Sequence, residues 1–313
     1  MDEPEPGTAM LTIAVLTYRR PEDLAAVLPL LVEQCRSVAP LPAEVLVVDN
    51  DPAAGAAAVA RDWAARGPVR YAHEPRPGIA AARNRALDEA ADSGRLAFID
   101  DDERPGPAWL ADLLRVQEAE HCAGVVGPVV SRFAVDPEPW IAAGEFFRRR
   151  RLPTGTAVDV AATNNLLLDL TRVRAHGVRF DERFGLSGGE DTLFTRSLVE
   201  AGERLVWCDE AVVTDVVPPG RLTRSWVLRR AFSSGNGNAL VDAELHPGWP
   251  GLGRRARRLG DGLIRVAGGG ARAVLGTVLR SPAHQARGVR TVARGAGMIS
   301  GVAGYRYGEY RRS

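Results

Sequence analysis

Leu96-Ala97-Phe98-Ile99-Asp100-Asp101-Asp102-Glu103 is the stretch on which the reading of the fold turns. Its four apolar residues suit a strand buried on both faces, and four acids follow without a spacer. Three adjacent aspartates repel one another, so clustering them costs energy unless a cation compensates. Hard-oxygen donors of this kind suit Mg²⁺ or Mn²⁺, ions that take one or two protein carboxylates plus substrate phosphates. An acidic turn or a helix cap is the other reading of the same residues.

Working outward, similar apolar runs recur on either side. Leu11 to Thr17 reads as a strand, and Pro21 opens a helical pattern through Leu24, Val27, Leu28, Leu31 and Val32. Val45 to Val48 is a second strand ending in Asp49-Asn50-Asp51, and an Ala-rich helix runs through Trp63. Val69-Arg70-Tyr71 is a short strand, and Pro77-Gly78 opens a helix carrying Arg83 and Asn84. Pro107 to Glu120 reads as a helix, and Val125-Val126 as part of a fifth strand. Strands alternating with helices predict an α/β fold, a mostly parallel Rossmann-like sheet flanked by helices. Ligands of such sheets bind at the carboxyl ends of the strands. Thr17-Tyr18-Arg19, Asp49-Asn50-Asp51 and the aspartate run all fall at such ends, so they should share one rim.

Beyond residue 130 the alternation weakens. Arg148 to Arg151 reads as a solvated helix end or loop, and Leu166 to Leu168 as a strand after Asn164-Asn165. Asp191 to Ala201 is helical, while Leu205 to Trp207 and Ala211 to Val213 are strands. Pro218-Pro219-Gly220 breaks the chain before a basic helix from Thr223 to Phe232. Past Gly248-Trp249-Pro250 the chain is Gly- and Arg-rich with helical apolar spacing, interrupted at Gly269-Gly270-Ala271. The expected organisation is a first domain over 1–245, with a donor half at about 10–130 and an acceptor half at about 131–245. A basic helical extension occupies 246–313.

The 313 residues are 45% apolar and 25% charged, ordinary values for a soluble globular chain. All 40 basic residues are arginine, which removes the P-loop lysine, Schiff-base chemistry and any lysine nucleophile. The net charge of +1 hides an asymmetry: residues 251–313 carry 13 Arg against Asp261 and Glu309, a net +11. That tail is the only candidate for a polyanion or membrane-surface contact. Cys35, Cys122 and Cys208 are far apart and form no CxxC, which predicts reduced cytosolic thiols. The acidic Met-Asp-Glu-Pro-Glu-Pro start lacks an apolar core and is not expected to act as a signal peptide, and no apolar stretch approaches the roughly 20 residues that span a bilayer.

Two further clusters carry chemistry. Gly188-Gly189-Glu190-Asp191 stands at a helix start, where a carboxylate is either a cap or a general base presented from a flexible lead. Arg83, on the helix entered through Pro77-Gly78, is either a surface arginine or a partner for a pyrophosphate. No GxGxxG follows the first strand, and the five His show no zinc spacing.

Together these residues resemble family 2 glycosyltransferases, enzymes of the nucleotide-diphospho-sugar transferase (GT-A) fold. Within that family the chain looks most like the bacterial exopolysaccharide type that includes succinoglycan-biosynthesis glucosyltransferases. The resemblance lies first in Val15-Leu16-Thr17-Tyr18-Arg19-Arg20-Pro21, Val47 to Asp51, Glu74 to Ala80 and Ala82 to Leu87. It continues through Phe98 to Glu103, Trp109-Leu110, Gly127-Pro128-Val129 and Thr163 to Leu166. Phe180-Asp181-Glu182, Gly188 to Asp191, Trp207-Cys208 and Val217-Pro218 complete it, in order over roughly residues 11–240.

The resemblance implies a metal-dependent, inverting transfer from a UDP-sugar, with UDP-glucose or UDP-N-acetylglucosamine as donor. Thr17, Tyr18, Arg19 and Asp49 would line the nucleotide pocket, with Asp49 accepting from uracil, and Arg83 would lie near the base or pyrophosphate. Asp100 and Asp102 match the family's Asp-x-Asp, Asp100 toward the ribose and Asp102 on Mn²⁺ or Mg²⁺; the acidic run leaves the register open by one, which includes Asp101. Asp191 matches the catalytic base and Glu190 would orient it or the acceptor. Asn164 and Asn165 look like sugar or acceptor contacts, and Arg221, Arg224 and Trp226 loosely match an acceptor-side motif. Trp226 serves equally well as a packed core residue. Asp215 stands where many members have a histidine that joins the metal.

The acceptor is either a growing glycan on a lipid carrier or a small aglycone, free or tethered to a carrier protein. The basic tail would accordingly meet a membrane surface or an acidic carrier. Nucleic acid is not an expected partner, self-association is compatible with the sequence, and the location would be cytoplasmic or peripheral at the inner face of the membrane. From other classes, a sugar nucleotidyltransferase shares the acidic rim but usually has an N-terminal Gly-rich basic loop. A non-catalytic sugar-nucleotide-binding module would have no use for Asp191.

Overall fold

The computed structural model describes residues 10–308. The acidic start of the chain and residues 309–313, Glu309 included, lie outside the described residues. In chain order the elements are β1 (Leu11–Thr17), α1 (Pro21–Ser37), β2 (Ala43–Asp49), α2 (Ala57–Ala64), β3 (Val69–His73) and α3 (Ile79–Glu89). Next come β4 (Arg95–Asp100), β5 (Glu103–Pro105), α4 (Trp109–Glu120), β6 (Gly124–Val126), β7 (Val129–Phe133) and α5 (Pro139–Gly144). They continue with β8 (Ala157–Val158), β9 (Asn165–Asp169), α6 (Leu170–Ala175), α7 (Glu190–Glu200), β10 (Leu205–Trp207) and β11 (Val213–Val217). Three long helices close the chain: α8 (Arg224–Leu245), α9 (Trp249–Val278) and α10 (Pro282–Val302).

The chain forms two compact units. The first takes the residues up to Val130, with Arg149–Glu182 and Phe194–Asp215. The second takes Ser131–Arg148, Arg183–Leu193 and the chain from Val216 onward. Helix α8 starts well before the expected boundary at residue 246 and belongs with α9 and α10 in the second unit.

Unit 1 is built on an eight-stranded sheet of order β3-β2-β1-β4-β9-β6-β10-β8. The first four strands are parallel, as the alternation predicts. Strand β9 then runs antiparallel to both β4 and β6, so the sheet is mixed from there on. Alternate residues of each strand feed two cores. Leu11, Ile13 and Val15 face α1, α2 and α4, whereas Ala14 and Leu16 face α3 and α6. Helix α1 buries the apolar positions that the spacing of three and four marks, Leu24, Val27, Leu28, Leu31 and Val32. Each such side chain removed from water contributes roughly 1.5–3 kcal/mol before chain entropy is set against it.

The register fixes the rim. Thr17 stands opposite Asp49, Asp49 opposite His73, and Leu16 opposite Asp100. The carboxyl ends of β1, β2, β3 and β4 therefore finish level with one another. After Asp100 the chain turns through Asp101-Asp102 and re-enters a strand at Glu103, which pairs antiparallel with Asp215 of β11.

Unit 2 is mainly helical. Helix α9 is continuous for 30 residues, straight through the Gly269-Gly270-Ala271 interruption seen in the sequence. The reason is close packing on α10. A Cβ on Gly269 would sit 2.8 Å from the carbonyl oxygen of Gly288, and one on Gly295 would sit 2.7 Å from that of Gly262. Gly262, Gly269 and Gly276 recur every seven residues along this seam and are all buried. Backbone-to-backbone contact there offsets the helix cost of glycine, about 1 kcal/mol per residue. On its other side α10 meets α8, where Asn236 donates to Ser300 Oγ and the Tyr305 carbonyl and accepts from the Tyr307 amide.

Candidate active site

The acidic turn of unit 1 is organised by arginines and a threonine. Thr17 Oγ1 donates to Oδ2 of Asp101 at 2.8 Å, and Arg20 Nη1 reaches Asp101 Oδ1 at 3.1 Å and Asp102 Oδ2 at 2.9 Å. Burial works against the Arg20 charge, yet Asp101 and Asp102 hold its pKa above the ordinary arginine value. Asp101 points inward, and burial pushes its carboxyl up to about 7 against the pull of Arg20 and the Thr17 hydroxyl. Asp100 and Asp102 keep part of their surface open. Burial raises Asp100 to about 6, with Arg83 pulling it down and the Asp102 charge adding to the rise.

Glu103 extends the cluster. It is buried, it accepts from Asn164 Nδ2 at 2.6 Å, and burial together with the Asp100 charge holds its carboxyl well above the usual range. Asp215, opposite it in the register, pairs with Arg149 at 2.9 Å. Arg149 also pulls the carboxyls of Asp100 and Glu103 down, so this member of the Arg148–Arg151 run is a rim cation and no idle surface charge. Its neighbours hold the loop: Arg151 forks onto Asp209, and Arg150 stacks on Trp207 at 5.3 Å.

Unit 1 thus brings together Thr17, Asp100, Asp101, Asp102, Asn164 and Asp215, with Arg83 close enough to act on Asp100. Arg83 is buried beneath the rim with its guanidinium 5.6 Å from the Phe180 ring. Tyr18 and Arg19 stack on each other at 5.1 Å, and Arg19 Nε lies 3.4 Å from Asp51. Sequence reasoning missed Arg20 and Arg149. The signals were there, an arginine just before the proline that opens α1 and an arginine run flanking the site, but in a lysine-free chain rich in arginine neither stood out.

Two residues expected to touch ligands are turned inward. Asp49 has no exposed surface, and its oxygens accept from the Asp51 and Ala56 amides and the Tyr71 hydroxyl. It shapes the loop after β2 and does not present a free acceptor to a base. Asn165 is likewise fully buried, accepting from Trp109 Nε1 at 2.8 Å and donating to the Pro128 and Ala211 carbonyls. Such a residue anchors the rim from beneath, while Asn164, half-buried, is the one left at the surface.

The remaining predicted residues belong to unit 2. Gly188 and Gly189 hold φ of 77° and 99°, a conformation that other residues rarely adopt, and they deliver Glu190 and Asp191 as the first turn of α7. Glu190 is buried, and Asp191 is half-buried with Oδ1 accepting from the Thr192 amide at 2.6 Å. Arg224 bonds Glu138 and lies 4.8 Å over the Trp140 ring, beside a cavity of about 420 Å³ that Gln285 and the α9–α10 turn help to line. Trp226 stacks flat on Phe147 and joins the apolar cluster of Trp140 and Ile141, so its ring is packing. Arg221 lies in the short turn before α8.

The chemistry of the rim fits a divalent ion: its donors are hard oxygens, and burial, with repulsion between neighbouring carboxylates, raises Asp100 and Glu103. Among the described residues no three acidic, His or Cys side chains form a ready-made cage. That suits an ion held by one or two carboxylates and completed by phosphate oxygens.

A parallel strand rim ending in an acidic turn is the architecture of a GT-A glycosyltransferase. The model of glycosyl transferase family 2 matches residues 12–169, half of the chain, and the chain belongs to that family. The protein is therefore a glycosyltransferase. It is 33% identical over 245 residues to succinoglycan biosynthesis protein ExoM of Rhizobium meliloti (strain 1021), 76% of each chain being covered. Among solved structures, S. aureus TarS 1–349 in complex with UDP-GlcNAc superposes with a TM-score of 0.52 at 16% identity, over 94% of this chain and 92% of that one. The mannosyltransferase PcManGT from Pyrobaculum calidifontis, in complex with GDP-Man and Mn²⁺, gives 0.58 at 17% identity, over 92% and 86%. At these identities the likeness is one of fold.

Proposed function

We propose that this glycosyltransferase moves a sugar from a UDP-sugar, UDP-glucose or UDP-N-acetylglucosamine, onto a glycan acceptor in exopolysaccharide assembly, with inversion at the anomeric carbon. The observation that carries the reading is the acidic turn Asp100–Glu103, held by Thr17 and Arg20 at the level carboxyl rim of a family 2 chain. The relative ExoM supports the polysaccharide assignment, and the UDP-GlcNAc complex of TarS supports the donor class.

Asp102, with Asp215 as second candidate, would hold Mn²⁺ or Mg²⁺, which when bound neutralises charge on the leaving diphosphate. Asp100 faces the ribose side, and Arg83 adds a fixed positive charge for the pyrophosphate. Thr17, Tyr18 and Arg19 form the wall for the base on the loop that Asp49 organises. Asp191 takes the proton from the acceptor hydroxyl as it attacks, and Glu190 orients that carboxylate. Asn164 contacts the sugar or acceptor.

Incubation with a panel of nucleotide sugars and oligosaccharide acceptors tests this. UDP release with a β-linked product from an α-linked donor is expected. Pyrophosphate release, or a product of retained configuration, would overturn it.

A further inference from the structure

Helix α9 carries an apolar face that the fold leaves in water. Its buried seam of Gly262, Gly269 and Gly276 packs on α10, and the opposite side displays Leu252, Leu263, Ile264, Val274, Leu275 and Val278. Ile264 is 71% exposed and Val278 73%, values that core residues never reach. Projected as an α-helix, these positions share one arc of about 140°. Arg257 lies at the edge of that arc and Arg254, Arg265 and Arg272 flank it, on the side that also carries Asp261, the sole acid of the helix. An exposed apolar stripe of this length on a soluble unit marks an interaction surface.

Charge selects the partner. Residues 251–313 carry a net +11, and within them α10 has Arg287, Arg290 and Arg294 and no acid. Burial, with the neighbouring Arg265, Arg290 and Arg258, pushes the Arg294 guanidinium below its ordinary value, a mark of how densely arginines crowd these helices even though Arg258 pairs with Asp242 and Arg287 with Glu145. Two copies meeting through this face would oppose arginine to arginine. An apolar stripe bordered by arginine is instead the pattern of a helix that lies in the interfacial plane of an anionic bilayer. No helix among the described residues is long and apolar enough to cross a membrane, so the contact would be made from one side.

We infer that the outer face of α9 docks the protein on anionic phospholipid membranes, with the apolar arc in the acyl boundary and the flanking arginines on the headgroups. The inference does not rest on the proposed donor or acceptor, which UDP release reads separately.

Full-length protein is sedimented with vesicles of phosphatidylcholine alone or mixed with phosphatidylglycerol, at low and high salt. It is expected to pellet with the mixed vesicles at low salt and to stay in solution with phosphatidylcholine. The double variant Ile264→Asp/Val278→Asp should lose about tenfold in the bound fraction with an unchanged thermal midpoint. A second pair, Arg254→Ser/Arg272→Ser, keeps the apolar face and should weaken binding and flatten its salt dependence. Absence of pelleting with mixed vesicles, or equal pelleting of both variants and wild type, overturns the inference. So does a dimer in solution that the aspartate pair dissolves, since the face would then be covered by a second copy.

Discussion

Nη1 of Arg20 lies 2.9 Å from Oδ2 of Asp102, so the carboxylate proposed to hold a divalent ion is already paired with a cation of the chain itself. The same nitrogen reaches Asp101, which lets two adjacent aspartates share one positive charge. Replacing Arg20 with Gln should lower stability by about 1–2 kcal/mol, an amount reduced by the arginine's partial exposure. It should also enlarge the rise in thermal midpoint that Mn²⁺ produces, because the ion no longer competes with a guanidinium. An equal Mn²⁺ response in both proteins would remove Asp102 as a ligand.

The proposed mechanism gives Asp191 the proton-accepting role. Asp191→Asn keeps the size and the bond to the Thr192 amide while removing the base, so turnover should fall by about 10²–10⁴-fold. UDP affinity by calorimetry should hold. Weakened UDP binding with intact single-turnover chemistry would move the role elsewhere.

The buried amide of Asn165 joins Trp109, Pro128 and Ala211. Asn165→Leu leaves one indole donor and two carbonyls without that partner and should cost about 2–4 kcal/mol in urea unfolding. A variant of wild-type stability that loses only acceptor affinity would return Asn165 to the acceptor site.

Glu74 gives a pH test. Its carboxylate accepts from Arg76 Nε, Nη2 and the Arg76 amide, which together hold it below the ordinary glutamate value. A depressed native pKa contributes stability above the unfolded value, about 4.3, and that stability is lost as pH falls through the native one. Glu74→Gln should therefore unfold at lower urea than wild type at pH 7, with the two midpoints converging below about pH 4.

Cys35 and Cys208 are buried, and burial pushes their thiols up to about 12 and about 11. Cys122, also buried, is raised as well. Little thiolate exists at pH 8, so iodoacetamide should label all three only after denaturation. Rapid labelling of the native protein would contradict their burial.

The parallel half of the sheet was readable because β1, β2 and β4 are continuous apolar runs that end in polar clusters, and strand ends converge by geometry. Other features were hidden for physical reasons. Antiparallel β9 has the same apolar signature as a parallel strand, so direction is invisible in Leu166 to Leu168. Asp49 and Asn165 read as ligand residues because sequence shows a polar side chain and never which way it turns. Gly269-Gly270 looked like a break, since only a partner helix at backbone distance turns such residues into an asset.

The interlock of α8, α10 and α9 bears on how the chain tolerates shortening. Ending it after Leu245, at the domain boundary expected from the sequence, would strip α8 of the helix that covers Gly235 and Asn236. What remained would carry a raw interior surface, so poor behaviour of such a fragment would report the missing neighbour and say nothing about lipid.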